Sequence, residues 1–104
     1  MNDNFKSVRE KTDKPKDNPF TKEDFDSDMR ADKDFEQKFS DYLNFFQFII
    51  SLKKLSQLDD GEINMMFRYY LYKLKESEFI MDYLKEYKYS LLLEHLRCLK
   101  ENDS

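Results

Sequence analysis

Apolar side chains recur along most of this chain at steps of three and four, the spacing of one helix face. Phe35, Phe39, Tyr42, Leu43, Phe46, Ile49 and Ile50 form the first series and predict a long helix over about 34–57. Asp59-Asp60-Gly61-Glu62 then supplies a turn and a capping box, with Asp59 at the N-cap and Glu62 three residues on. Behind it, Ile63, Met66, Phe67, Tyr70, Leu71 and Leu74 predict a second helix over about 60–76. Ser77 can cap a third over about 78–100, with Ile80, Tyr83, Leu84, Tyr87 and Leu91 on one face. Leu92, Leu96 and Leu99 are rotated off that face, which predicts a kink or break near 87–90. Upstream, Thr21 with Asp24 can cap a short helix at about 22–30 carrying Phe25 and Met29.

The N-terminal part has different physics. Residues 1–40 hold 20 charged and 9 apolar side chains, whereas residues 41–104 hold 20 and 32. So charged a stretch buries too little apolar surface to offset its conformational entropy. Residues 1–32 are therefore expected as a disordered charged arm and 33–104 as the helical domain. The expected fold class is all-α, a small three- to four-helix bundle with a disordered N-terminal arm.

Two of the helices carry more apolar surface than one bundle contact uses. Phe45, Phe48, Leu52 and Leu55 form a second stripe on the first helix, and Met65, Tyr69 and Tyr72 one on the second. Three occupants fit such faces: the segment around Phe20, Phe25 and Met29, a second copy in a homodimer, or a foreign protein partner. Phe48, Leu52, Leu55, Met65, Tyr69 and Tyr72 are the candidate partner-binding residues. Tyrosine joins apolar area to a polar tip, and methionine adapts its shape.

Composition narrows the function. With 22 acidic and 18 basic side chains the net charge is −4, and nucleic acid, a polyanion bound through Lys and Arg, is not the expected ligand. One glycine leaves no phosphate-cradling loop, and no dinucleotide, P-loop or serine-elbow motif is present. The single Cys98 permits no internal disulfide. The first 19 residues lack the apolar core of a signal peptide, and Tyr42–Leu52, the greasiest run, is about half a membrane span. The expectation is a cytoplasmic protein, and the Lys, Asn, Ile, Phe and Tyr content points to an AT-rich bacterial or phage genome.

Two constellations touch on metal chemistry. Asp24, Asp26, Asp28 and Asp32 fall at positions 1, 3, 5 and 9 of a calcium loop, but Met29 stands where glycine belongs and Phe35 where a bidentate glutamate belongs. His95 and Cys98 share a helix face and supply two ligands where a tetrahedral zinc needs four. No metal, cofactor or catalytic residue is assigned.

Leu43-Asn44-Phe45-Phe46-Gln47-Phe48-Ile49, the Leu58-Asp59-Asp60-Gly61-Glu62 turn and Met66-Phe67-Arg68-Tyr69-Tyr70 together resemble a bacterial helical family catalogued as domain of unknown function 4760. The resemblance covers about residues 40–99. It implies a helical architecture and carries over no functional residue, and Gln47 stands where the family pattern has glutamate. The function expected is a non-catalytic protein-protein interaction or regulatory module acting through the apolar, tyrosine-bearing face. The alternative is a small acidic inhibitor from a phage or mobile element that blocks a basic, nucleic-acid-binding groove, with Phe20, Phe25 and Phe35 as aromatic anchors among the carboxylates.

Overall fold

A computed structural model describes residues 3–99, with side chains from residue 5 onward. Among the described residues every regular element is a helix: α1 (Asp3–Thr12), α2 (Lys22–Ala31), α3 (Phe35–Lys54), α4 (Asp60–Glu76), α5 (Glu78–Glu86) and α6 (Ser90–Cys98). None is long and apolar enough to cross a membrane.

The described residues are all-α, but with six helices in place of three or four. One added helix is α1, inside the stretch expected to be a disordered arm. Its composition is that of a disordered segment, yet Val8 is wholly buried and Phe5, three residues earlier, is half-buried on the same face. A helix of 10 residues is marginal in water by itself, so the surface of α3 and α4 beneath it supplies the stabilisation. The other added helix arises because residues 78–98 break at Tyr87–Tyr89, where the apolar face changes.

α3 is the central element and packs against α1, α2, α4 and α6. Its first apolar stripe, Phe35, Phe39, Tyr42, Leu43, Phe46 and Ile50, is buried. Two aromatic clusters enclose it. At one end the Phe39 ring lies 6.1 Å from Phe20 and 5.1 Å from both Phe25 and Tyr83. At the other, Phe67 sits 5.6 and 5.7 Å from Phe45 and Phe46, while Phe5 lies 5.7 Å from Tyr42 and 5.3 Å from Phe45.

The ends of the helices follow local capping rules. Thr21 with Asp24 and Asp59 with Glu62 form complete capping boxes. Buried Ser77 caps α5 by accepting from the Ile80 amide at 3.1 Å, and its hydroxyl donates to the Phe20 carbonyl, tying the loop before α2 to the α4–α5 junction. α6 has no side-chain cap of its own; Gln47 Oε1, from α3, accepts from the Leu92 amide at 2.8 Å instead.

α3 and α5 both close on a left-handed residue that is not glycine, Ser56 at φ 60° and Lys88 at φ 63°. The Gln57 amide donates to the Leu52 carbonyl at 2.8 Å and the Tyr89 amide to the Leu84 carbonyl at 2.9 Å, the long bonds of Schellman motifs. A Cβ in that conformation is strained, so Lys88→Gly is expected to stabilise the fold by about 0.5–1 kcal/mol. Gln47→Ala, which strips α6 of its borrowed cap, is expected to cost about 1–2 kcal/mol. Urea unfolding of both variants checks these signs; a Lys88→Gly protein no more stable than the parent would remove strain from the description of this turn.

Candidate functional site

Burial separates the stripes that the helical period leaves equivalent. The first stripe of α3 faces the core, and the six candidate residues lie outside it. Met65 is 82% exposed, Leu55 67%, Phe48 58% and Tyr69 55%, while Leu52 and Tyr72 are half-buried. Phe45, from the same second stripe, is covered by Phe5 and Phe67 and belongs to the core margin. The segment around Phe20, Phe25 and Met29 packs on the opposite end of α3 and does not cover the second stripe.

The structure does not unite all six residues. Met65, Tyr69 and Tyr72 line one shallow depression along α4, together with Gly61, Asn64 and Arg68. Phe48, Leu52 and Leu55 lie on α3 and its C-terminal end, outside that depression. Periodicity assigns Met66 to the core face, but it is half-exposed and borders the depression. Its position, one step from Met65 and at the edge of the α3 contact, is the only sequence signal for this; exposed Tyr87, at the break between α5 and α6, has none.

Among the described residues the depression has no wall from another element and reads as a helix face with a gap at Gly61, where no side chain stands. Tyr69 is held by the loop after α1: its hydroxyl donates to Asp13 Oδ1 at 2.5 Å, and this bond raises its pKa. Lys73 lies 5.4 Å over the same ring, donates to the Lys14 carbonyl at 3.0 Å and pairs with Glu76 at 3.5 Å. The Arg68 guanidinium lies 5.4 Å over the Tyr72 ring. Among the described residues neither Arg68 nor Glu62 is in an ion pair, although Glu62 Oε1 accepts from the Asp59 amide at 3.2 Å. Asn64 Oδ1 and Tyr72 Oη are buried without a hydrogen-bond partner among the described residues, an arrangement that costs stability.

The metal-like constellations resolve differently. Asp24, Asp26, Asp28 and Asp32 are drawn to separate partners: the Thr21 amide, Lys22, Lys11 and Lys38. His95 is buried and Cys98 exposed. His95 Nδ1 lies 3.9 Å from Asp60 Oδ1, an oxygen that Lys53 holds at 3.0 Å, and His95 Nε2 is buried with no partner among the described residues. Among the described residues no group of three His, Cys, Asp or Glu is placed to hold a metal ion.

No family model, no curated protein and no solved structure matches the chain. The functional reading therefore rests on this geometry.

Burial, and then Lys53, push the His95 pKa below its ordinary 6.5, and Asp60 opposes them without prevailing. The unfolded chain thus binds a proton at this residue more readily than the folded one, so stability is full above about pH 6.5 and falls as pH drops toward the folded pKa. His95 is the only histidine, so the loss between about pH 7 and 5 should be assignable to it. Urea midpoints of the parent are expected to fall over that range and those of His95→Phe to stay nearly level; parallel profiles would contradict this.

Proposed function

We propose that this protein works by binding another protein chain through the outer face of α4, without catalysis of its own. The observation that supports the reading is one helix face bearing Met65, four-fifths exposed, beside Tyr69, Tyr72 and half-exposed Met66. Interface centres are rich in Tyr, Met and Arg, and isolated exposed apolar residues do not cluster on one helix face in this way. The arrangement is pre-organised, since Asp13, Lys73 and Arg68 hold the two tyrosine rings before anything binds.

The acidic-inhibitor reading gains less from this geometry. Phe20, Phe25 and Phe35, the aromatic anchors it would use, are buried in the core, and Asp28 and Asp32 pair with Lys11 and Lys38.

Met65→Asp changes an exposed position, so its effect on unfolding should stay within about 0.5 kcal/mol. Placed at the centre of the proposed contact, it should weaken binding by about tenfold or more. Tagged parent and variant, used to retrieve proteins from source cells at low and high salt, provide the check. A protein held by the parent at high salt and lost with Met65→Asp is the expected outcome; retention by both would move the contact off α4.

A further inference from the structure

We propose that His95 gates the cavity between α3 and α6: as a neutral ring it seals the junction of α3, α4 and α6, and as a doubly protonated ring it turns out into that cavity beside Glu94. The device is independent of the α4 face.

The junction is built from three helix ends. His95, in the last turn of α6, faces Lys53 in the last turn of α3 and Asp60, the first residue of α4. Its side chain is 6% exposed, with Nδ1 3.9 Å from Asp60 Oδ1. Alongside lies a cavity of about 240 Å³, walled in part by Lys53 and Lys54 of α3 and by Leu91, Glu94, His95 and Cys98 of α6. That is several times the about 30 Å³ that one water occupies.

A neutral ring suits the closed position. Its single proton belongs on Nδ1, the nitrogen that faces a carboxylate. Nε2 is then a bare lone pair, buried with no partner among the described residues. A second proton would turn Nε2 into a charged donor with neither acceptor nor water beside it, which costs far more than an idle lone pair. Asp60 does not offset that cost, because Lys53 holds the same Oδ1 at 3.0 Å and is itself a cation beside the ring. Lys54 adds a second positive charge to the cavity wall, and among the described residues α5 contributes no charge to the ring.

Helix geometry supplies the way out. At about 100° per residue, Leu92, Leu96 and Leu99 lie to one side of His95 around α6, and Leu91, Glu94 and Cys98 lie to the other. The first set is buried and the second walls the cavity, so His95 stands on the border between them. A change of side-chain torsion is enough to carry the ring across. There it meets water and Glu94, an exposed residue and the one carboxylate on the cavity wall among the described residues. α6 stays docked while the ring moves, because Leu92, Leu93 and Leu96 remain in the core. Acid thereby replaces a cavity sealed by a neutral ring with one that holds an imidazolium.

The test is proton NMR of the full chain from about pH 8 to about pH 5, following its single histidine ring, with circular dichroism to report the helices. In the parent the ring should titrate below its ordinary range while the helices persist. Below the midpoint its nuclear Overhauser contacts to Leu91 and Cys98 should strengthen. Cys98→Phe changes an exposed position and fills the cavity, so it should make the ring about tenfold harder to protonate, a midpoint about one unit lower. Glu94→Gln, also at an exposed position, should lower the midpoint by a smaller step and carries the test by itself if Cys98→Phe does not fold. Lys53→Gln should raise the midpoint, and no rise would overturn the placement of the ring on which the gate depends. A ring that titrates only as the whole chain unfolds overturns the inference. So do ring contacts that stay unchanged through the titration, and so does a midpoint that the folded cavity variants leave where the parent has it.

Discussion

Burial of the aromatic face of α3 is the constraint on which the rest of this small protein depends. A helix of 20 residues presenting Phe35, Phe39, Tyr42, Phe46 and Ile50 must be enclosed, and the helices that follow it do not enclose it alone. The N-terminal segment completes the shell. Phe20 comes from the loop before α2, Phe25 from α2, and Phe5 and Val8 from α1. Full burial of a Phe side chain stabilises by about 1.5–3 kcal/mol, so Phe20 and Phe25 together contribute about 3–6 kcal/mol, a large share of the about 5–15 kcal/mol typical of a whole domain. The charged segment is thereby part of the core and not an appendage to it.

That requirement also explains why one face of α4 is left over. α1 descends from the Phe45 end of α3 to α4, where Arg9 lies 5.7 Å over the Tyr70 ring and Asp13, in the loop that follows, takes the Tyr69 hydroxyl. The polar contacts of this segment with α4 reach Tyr69 and Lys73, and Met65, a turn before Tyr69, stays four-fifths exposed. α5 and α6 pack on the other side of α4, where Leu71 and Leu74 are buried and Lys75 donates to the Leu99 carbonyl. The bare strip between them is the candidate surface, and its tyrosines are already fixed by the chain that borders it.

Local signals are legible in the sequence and distant ones are not. The Thr21–Asp24 and Asp59–Glu62 boxes are four-residue motifs whose geometry needs no tertiary partner, and the heavily apolar face of α3 admits one period. α1 escapes the sequence pattern because its composition is dominated by charge, and the two side chains that hold it, Phe5 and Val8, have meaning only opposite Tyr42, Phe45 and α4. The break at Tyr87–Tyr89 announces itself as a change of face at Leu92, but the left-handed Lys88 carries no glycine to mark it. Gln47 as the cap of α6 joins residues 45 positions apart, beyond any local pattern. The exposed stripe itself is readable as an excess of apolar residues. Which of them form one surface is not, because Met65 and Met66 differ by a single step of about 100° and the edge of the α3 contact falls near it.

The most direct test of this account is denaturant unfolding of residues 33–104 beside the full chain, followed by the near-ultraviolet circular dichroism of the aromatic rings. If the N-terminal segment is part of the core, the full chain unfolds in one cooperative step with a strong aromatic signal, and residues 33–104 alone show helix without fixed ring packing and no sharp transition. A fragment that unfolds cooperatively at the midpoint of the full chain would contradict the account, returning residues 1–32 to the status of a tether.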